Sequence, residues 1–494
     1  MKVLLIGDGA REHALALLIA GSALEPRVAV LAGHANPGLE KVAESSGAKV
    51  YRGAVSSPLD AVRAAEDFSP DLVVVGPEEP LFAGVANALR ERGFTVFGPS
   101  SEAARIEKDK VFARTLMWKH RIPGRLRFKV FNSPEEVAKH ASALGDVAVK
   151  PARQAGGRGV RVFAETYEHL LDAVREVASE YAAKVARHVK SAYSDIDHAV
   201  IVEEFVEGVE YTVMTVTDGE SVAALPAVQD HPHLLPFDLG PETGGMGAIS
   251  GPCETLPFVS KREYEESVEI VRRTVEALQR EVGEPYVGAL SGQMMLTGFW
   301  GPTLIEYYAR FGDPEIAAML YMVESDFLEL LDRAATRRLS GYKLKLRCDT
   351  YVVVKAAAPA GYPADRARAR GHPIAVDERG IREAGCTILY GGVDRAPDGT
   401  LVTTGSRAVE VACSSTTSFQ EASERAERAI GRVKLLDGHA LIHRWDIGTE
   451  ELLRRRAALA DMVRLSYTRR RERGLFTVYD WVPGRGVVRY DYAV

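Results

Sequence analysis

The sequence has few cysteines and no basic excess, and both shortages exclude classes of protein. Its 494 residues include four cysteines, Cys253, Cys348, Cys386 and Cys413, which lie far apart and form no CxxC pair. Structural zinc and a disulfide framework are therefore not expected, and the pattern is typical of a reducing cytoplasm. Lysine and arginine number 62 against 68 acidic residues, a formal net charge of -6. A nucleic-acid partner is not expected either, because such proteins usually carry a basic excess.

Long apolar runs are also missing. The N-terminal run "MKVLLIG" ends in Gly-Asp-Gly and is too short for a signal peptide. No apolar run is long enough to cross a bilayer, so we expect a cytoplasmic protein with no membrane partner. The length predicts two to four domains with a large buried core.

Strands and helices alternate over the first hundred residues. Strands are predicted at 2–7 and 27–33 and in the segments 71–81 and 94–100, each of which ends in a Gly-Pro turn, with a helix at 11–21 after the first strand. This alternation predicts a parallel α/β domain whose ligands lie at the carboxyl ends of the strands, where "GDGARE", "GHANPG" and "GPEEPL" stand. NAD is disfavoured, because Glu12 replaces the third glycine of the dinucleotide fingerprint. "GDGARE" is either a tight turn into a helix or a helix start that holds a phosphate or carboxylate.

The rest of the chain has a mixed pattern that ends in a small α+β region. A helix is predicted at 101–122, followed by two β-rich runs around a glycine-rich loop at 147–163 and a helix at about 166–192. A strand–turn–strand unit at 198–219, a polar loop at about 229–252, a helix at about 259–281 and strands at 287–296 and 302–308 come next. Short strands with one helix are predicted beyond about 345, and a basic helix followed by a docking strand after about 465.

"KPARQAGGRGV" predicts a phosphate-binding loop. Lys150 closes a strand, and residues 154–159 form a loop whose backbone amides can fold over phosphates, since glycine permits close approach. It is not a Walker loop, because GxxxxGK[ST] is absent. The alternative is a flexible hairpin tip.

Two further segments suit a nucleotide and its substrate. In "VIVEEFVEG" the backbone of Phe205 and Val206 could meet an adenine edge and Glu210 could accept from ribose hydroxyls, although surface carboxylates are the simpler interpretation. "GPETGGMGAIS" at 240–250 has four glycines and is either a substrate cradle or a disordered surface loop.

Gln293 and Glu306 are candidate metal ligands. They stand on neighbouring predicted strands, and carboxylate and amide oxygens are hard donors that suit Mg²⁺ beside nucleotide phosphates. A buried glutamate without a partner is costly, which makes a cation plausible. A salt bridge from Glu306 to a lysine or arginine is an equally good interpretation.

Together these segments resemble the ATP-grasp fold. More narrowly, "GDGAREHALA", "VGPEEPL", "FGPSSEAA", "PAVQDH", "GPETGGMGA", "IEYYARFGDPE" and "GYP" occur in the order seen in the phosphoribosylamine–glycine ligase family, and "GQMML" and "HRWDIGTEEL" resemble its archaeal branch. The resemblance covers residues 1 to about 460. It implies a parallel α/β domain at 1–100, an ATP-grasp domain at 101–340, a small α+β domain at 341–445 and a C-terminal helix and tail at 446–494.

The resemblance also implies an activity and its residues. The family joins phosphoribosylamine to glycine with ATP and Mg²⁺ (or Mn²⁺) through a glycyl phosphate, in purine synthesis, as a monomer or homodimer. The ATP-binding residues would be Lys110, Lys150, Gly156, Gly157, Arg158, Gly159, Glu203, Phe205, Val206 and Glu210. Substrate binding would fall to Gly9, Arg11, Glu12, Pro77, Glu78, Asp230, Gly244, Gly245 and Gly247. Gln293 and Glu306 would hold the metal, and Arg310 and Asp313 would be catalytic.

The chain departs from the family pattern at four places around this site. Tyr308 replaces an asparagine that helps to bind the second metal, Arg158 replaces a lysine, Pro232 and His233 replace two cations, and Glu242 replaces an asparagine. We expect Glu242 to restore part of the lost metal binding. The alternatives to the family's reaction are a ligase for another amine and carboxylate, or a catalytically weak nucleotide-binding paralogue.

Overall fold

The computed structural model describes residues 1–131, 147–151, 161–163, 200–475, 477–482 and 486–491. The predicted phosphate loop, with Gly156, Gly157, Arg158 and Gly159, lies outside the described residues, as does the helix predicted at 166–192. Within the described ranges, no helix is both long enough and apolar enough to cross a membrane.

The N-terminal region is a five-stranded parallel sheet in the order β3-β2-β1-β4-β5. Its strands read as continuous apolar runs because helices cover both faces, and Val3 to Ile6 are fully buried. The loops after the adjacent strands β1 and β4 therefore open side by side at one edge. The elements are β1 Lys2–Ile6, α1 Ala10–Ala20, β2 Arg27–Ala32, α2 Pro37–Ser45, β3 Val50–Arg52, α3 Pro58–Phe68, β4 Leu72–Val75, α4 Glu78–Phe82, α5 Val85–Glu91 and β5 Val96–Phe97.

The helix predicted at 101–122 is two helices, α6 Ser101–Lys108 and α7 Lys110–Lys119. Asp109 separates them, because its carboxylate caps α7 by accepting from the backbone N–H groups of Val111 and Phe112, both at 3.0 Å. A four-stranded antiparallel sheet follows, in the order β6-β9-β7-β8. Its strands are β6 Phe128–Phe131, β7 Val147–Pro151, β8 Arg161–Phe163 and β9 Val200–Glu204.

A ten-stranded sheet crosses the middle and the C-terminal part of the chain. Its main path is β17-β16-β10-β12-β15-β18-β23-β20, with β11 beside β10 and β25 beside β18. Strand β15 joins the two parts, since it pairs with β12 on one side and β18 on the other. The strands are β10 Gly208–Thr217, β11 Val222–Ala224, β12 Val228–Asp230, β15 Gly247–Ser250, β16 Gly288–Thr297, β17 Gly301–Tyr308, β18 Tyr351–Pro359, β20 Cys386–Tyr390, β23 Val409–Ser415 and β25 Leu441–His443.

The polar loop predicted at 229–252 is mostly strand, so that prediction is wrong. Strands β13 His233–Leu235 and β14 Leu239–Glu242 form a hairpin, and β15 follows as a fully buried strand. The turn between them holds Phe237 and Asp238 at φ 56° and 61°, a left-handed conformation that closes the hairpin. The sequence did not reveal these strands, because each is only three or four residues long and the segment is rich in glycine and proline.

The expectation of no disulfide framework is also wrong. Cys253 bonds Cys348, and Cys386 bonds Cys413. The second pair consists of directly opposed residues on β20 and β23. Spacing along the chain did not reveal either bond, since both depend on segments that only the fold brings together.

The remaining elements cover the sheets. A second four-stranded sheet has the order β21-β22-β19-β24, and the last two strands form a hairpin. The basic tail helix is not merely solvated, because Arg464 and Arg471 pair with Glu263 and Glu266 of a preceding helix. The elements are α8 Lys261–Val282, α9 Met319–Met322, α10 Phe327–Ala335, β19 Arg370–Val376, α11 Glu378–Glu383, β21 Val393–Arg395, β22 Leu401–Thr404, α12 Phe419–Ile430, β24 Val433–Leu435, α13 Glu450–Glu472, β26 Thr477–Val482 and β27 Gly486–Asp491.

Candidate active site

Two buried cations meet a buried carboxylate where β7, β9 and α7 converge. Lys150 Nζ lies 2.9 Å from Glu203 Oε2, and Arg114 binds both Glu203 oxygens. Burial alone would raise the pKa of Glu203, but Arg114 and Lys150 outweigh it and lower the pKa to about 2. Arg114 also donates to the carbonyls of Leu304 and Ile305, at 3.0 and 2.7 Å. The cluster therefore ties the small antiparallel sheet to strand β17.

Lys110 and Glu306 form a second buried pair next to the first. Lys110 Nζ lies 3.0 Å from Glu306 Oε1, so Glu306, one of the two predicted metal ligands, is paired with a lysine. Burial opposes ionisation of Glu306, yet Lys110 and Lys150 lower its pKa below the usual value. A cavity beside this pair is lined by Glu107, Lys110, Arg114, Glu203, Glu306 and apolar residues of α6, α7 and β17.

The predicted metal ligands lie directly opposite each other. Gln293 on β16 pairs in register with Glu306 on β17. Gln293 Nε2 lies 3.4 Å from Glu210 Oε2, and its Oε1 accepts a hydrogen bond from the Tyr308 hydroxyl. Burial raises the pKa of Glu210. Three hard donor side chains, Glu210, Gln293 and Glu306, thus share one face of this sheet.

Glu242 adds a third carboxylate to the same electrostatic environment. It ends strand β14 as an exposed residue, yet partial desolvation and the charges of Glu210 and Glu306 raise its pKa to about 7, although His233 opposes the shift. Carboxylates that repel one another in this way fit a divalent cation, which would relieve the repulsion. The residues present are therefore compatible with a metal.

Arg310 joins the second predicted group to the N-terminal sheet. Its guanidinium lies 3.4 Å from Glu78 and 3.3 Å from Glu107, and stacks over the Tyr308 ring at 4.3 Å. Arg11 reaches the same Glu78 at 3.5 Å. Burial raises the pKa of Glu107 to about 7, although Arg310 opposes the shift. The cluster is a buried network of two arginines and several carboxylates drawn from both domains.

The start of α1 continues this network. Glu12 Oε1 accepts from Arg11 Nε at 2.6 Å, and its other oxygen accepts from the backbone N–H of Gly9 at 2.8 Å. A Cβ on Gly7 would lie 2.4 Å from the Glu12 side chain and 2.9 Å from Pro77. The loops "GDGARE" and "GPEEPL" therefore contact each other, as expected for loops at the carboxyl ends of neighbouring parallel strands.

Arg407 holds the glycine loop against the "RFGDPE" turn. Its Nη1 donates to the carbonyls of Gly244, Gly245 and Asp313 at 2.9, 2.7 and 3.0 Å, and its Nη2 binds Asp313 Oδ2 at 2.8 Å. The hydroxyl of Tyr362, from the "GYP" segment, accepts from the Gly244 N–H at 3.1 Å. Residues from three parts of the chain thus contact one another here.

Two glycines of this loop are sterically required. Gly245 has φ +105°, and a Cβ there would lie 2.6 Å from Pro314 Cδ. Gly247 has φ +150°, and a Cβ would lie 2.2 Å from the Val354 carbonyl. Both positions allow the backbone to approach its neighbour closely.

Asp230 and Glu315 complete the acidic side of the site. Burial and the charge of Glu315 raise the pKa of Asp230 well above its usual value, and burial raises the pKa of Glu315.

Among the predicted nucleotide residues, Phe205 and Val206 follow β9 and are half-buried.

Four residues of the site were missed from the sequence. Arg114 stands four residues from Lys110 on α7, and that spacing could have indicated it, whereas Glu107 lies on α6 before the break at Asp109. Arg407 and Glu410 come from the C-terminal segment, and no motif marks them.

The sheets, the paired cations and the facing donor residues define the chain as an ATP-grasp protein. Its residues 1–107, 108–316 and 352–450 match the N, ATP-grasp (A) and C domains of phosphoribosylglycinamide synthetase. The chain belongs to the phosphoribosylglycinamide synthetase family.

Known proteins of this family are similar along nearly the whole chain. The phosphoribosylamine–glycine ligase of Methanopyrus kandleri is 41% identical over 472 residues, which cover 94% of this chain and 99% of that protein. The Pyrococcus horikoshii protein of the same name is 38% identical over 458 residues, covering 92% and 96%. The crystal structure of the Thermotoga maritima phosphoribosylamine–glycine ligase has a TM-score of 0.69 at 26% identity, covering 90% of this chain and 100% of that one.

Proposed function

We propose that the protein is an ATP-dependent phosphoribosylamine–glycine ligase that forms glycinamide ribonucleotide for purine biosynthesis. Similarity to ligases of that name over more than nine tenths of the chain supports this reaction. The structural observation that carries it is the site itself. Lys110 and Lys150 stand beside Gln293 and Glu306, and Arg407 ties the Gly244–Gly245 loop to the turn that carries Asp313.

The triphosphate would lie along the two lysines. In the first step a carboxylate oxygen of glycine attacks the γ-phosphorus of ATP, giving glycyl phosphate and ADP. Lys110 and Lys150 neutralise charge on the phosphoryl oxygens. When ATP is bound, Lys110 and Lys150 would be drawn from Glu306 and Glu203 toward the phosphates. The backbone of Phe205 and Val206 would receive adenine and Glu210 the ribose hydroxyls, while residues 156–159, which lie outside the described part of the chain, stay the predicted phosphate loop.

Gln293, Glu306 and Glu242 would hold Mg²⁺ (or Mn²⁺), which supplies charge neutralisation for the phosphates. In this role the Tyr308 hydroxyl orients the Gln293 oxygen through its hydrogen bond. Tyr308 itself is a poor metal ligand, so we expect Glu242 to replace the donor that the family has at position 308.

The second step takes place between the glycine loop and the N-terminal sheet. The ribosylamine nitrogen attacks the acyl carbon of glycyl phosphate, the nitrogen loses a proton, and phosphate leaves. Gly9, Arg11, Glu12, Pro77, Glu78 and Asp230 bind the substrates in this scheme. Arg310, Asp313 and the loop glycines 244, 245 and 247 shape the acyl phosphate site and exclude water, which would hydrolyse the intermediate.

The names of the relatives do not favour a ligase for other substrates or an inactive paralogue. The substitutions at positions 158, 232, 233, 242 and 308 are then variations that the reaction tolerates. We further propose a cytoplasmic monomer or homodimer that acts on small molecules, without a nucleic-acid or membrane partner.

The test is ADP release by the purified protein with ATP, Mg²⁺, glycine and phosphoribosylamine generated in situ. ADP should appear in step with glycinamide ribonucleotide, and only when both glycine and phosphoribosylamine are present. ADP release that ignores phosphoribosylamine would indicate a different acceptor, and no ADP release would indicate that the reaction has been lost.

A further inference from the structure

Glu410 is a buried carboxyl group that the reaction scheme above does not use. It lies on β23, is 1% exposed, and neither of its oxygens has a hydrogen-bond donor among the described residues. Arg407 Nη1 is 3.6 Å from Oε1, an ion-pair distance without a hydrogen bond. An ionised carboxylate in such a place is costly unless it is paired and hydrogen-bonded.

The neighbour of Glu410 is Asp313 of the "RFGDPE" turn. Asp313 Oδ2 accepts from Arg407 at 2.8 Å, whereas Oδ1 is buried and has no donor in the described part of the chain. Both carboxyl groups contact the same Arg407 guanidinium, Asp313 through Oδ2 at 2.8 Å and Glu410 through Oε1 at 3.6 Å, which places them side by side. Two carboxylates cannot bond without a proton between them, so one proton on the pair satisfies both orphaned groups.

We propose that Glu410 is a positioning residue that keeps its proton and donates it to Oδ1 of Asp313. Asp313 is then held between Glu410 and Arg407, facing the Gly244–Gly245 loop. This inference rests on the proposed function, because Asp313 is placed there as a catalytic residue.

The charges around the pair agree with this assignment. Burial and the nearby charge of Asp313 raise the pKa of Glu410 well above its usual value, although Arg407 opposes the shift. Asp313 itself has a lowered pKa, because Arg407, Arg11, Arg310 and the bond to Glu410 outweigh its burial. Glu315 also acts on Glu410, and its charge raises the pKa further. The two pKa shifts run in opposite directions, so a proton shared by the pair belongs to Glu410 and the negative charge to Asp313.

The experiment compares Glu410→Gln with Glu410→Ala by pH–rate profiles of kcat and KM for glycine, with thermal melting to confirm folding. Glutamine still donates to Asp313 but has no proton to lose. We expect Glu410→Gln to keep kcat within about threefold of the wild type and to lose the alkaline fall in rate that ionisation of Glu410 causes. Glu410→Ala should lower kcat by about ten- to a hundredfold, the cost of removing a hydrogen bond to a charged group.

A second measurement does not depend on turnover. The infrared C=O stretch of a protonated carboxylic acid should be present at pH 7 in the wild type and weaker in Glu410→Gln. An unchanged alkaline limb and an unchanged infrared band in Glu410→Gln would overturn the proposal, as would wild-type kcat in Glu410→Ala. If the wild type itself made no product, the proposed function would fail while the infrared comparison would still test the proton on Glu410.

Discussion

At the residue scale, the site is a cluster of buried charges in which one side chain often contacts two of opposite sign. Glu203 is the clearest case, since it is 1% exposed and neutralises both Arg114 and Lys150. Removing such a group leaves two buried cations without a counterion, which is more costly than losing any surface pair. The adjacent Glu204 provides a contrast, because its partner Arg127 is 40% exposed.

Glu203→Ala should therefore destabilise the protein by about 3–5 kcal/mol, and Glu204→Ala by less than about 1 kcal/mol. Urea unfolding of both variants measures the difference. Similar losses in the two variants would show that the cluster does not act as a buried ion network.

The low pKa of Glu203 gives the same interaction a pH dependence. Its pKa falls from 4.5 to about 2 on folding. A depressed carboxyl pKa contributes stability that is complete above 4.5 and is lost as the pH falls through about 2. The stability gap between the wild type and Glu203→Gln should narrow over that window, and a gap independent of pH would contradict the assignment.

The Glu242→Ala variant tests whether Glu242 replaces the metal ligand that is lost at Tyr308. Glu242→Ala should raise the Mg²⁺ concentration needed for half-maximal activity, because a hard donor is removed from beside Glu210 and Glu306. The matched control is Glu254→Ala, which alters a partly exposed carboxylate in the loop after β15. An unchanged Mg²⁺ requirement in Glu242→Ala would show that this residue does not replace the lost metal donor.

At the scale of elements, the glycine loop between β14 and β15 shows how backbone conformation serves the site. Gly245→Ala should lower both stability and activity, since its positive φ and its contact with Pro314 leave no room for a methyl group. Gly244→Ala is the control for stability, because its nearest neighbours would lie at 3.5 Å and its φ is not positive. Equal melting temperatures for the two variants would contradict this account.

The same element shows what the sequence could and could not predict. Long apolar strands such as β1, β16 and β17 were predicted because their pattern depends on local burial. Strands β13 and β14 were missed because they are only three and four residues long, and β15 was missed because it pairs with β18, more than a hundred residues away. Both disulfides and the Arg407 contacts were missed for the same reason. The roles of the site residues and the four domain limits stay predictions.

At the scale of the whole molecule, the site depends on all three family segments. Arg11 and Glu78 come from the first, Lys110 and Arg310 from the second, and Arg407 from the third, through a sheet that is continuous across β15. The C-terminal segment therefore contributes contacts to the candidate site.

The Arg407→Lys variant tests whether the site depends on the C-terminal segment. Lysine cannot donate at once to three carbonyls and Asp313, so hydrogen exchange should increase in both the 243–247 loop and the 312–318 turn. Arg425→Lys, on α12 of the same segment, should leave both regions protected. Faster exchange in only one region would show that Arg407 does not couple the loop to the turn.

The most direct test of the central claim follows the oxygen atoms of glycine. With glycine labelled by ¹⁸O in its carboxylate, a glycyl phosphate intermediate transfers one labelled oxygen to each phosphate released and leaves the other in glycinamide ribonucleotide. We predict one ¹⁸O in phosphate per ADP formed, by mass spectrometry. Unlabelled phosphate, or label in AMP, would contradict a ligase that activates glycine by phosphorylation.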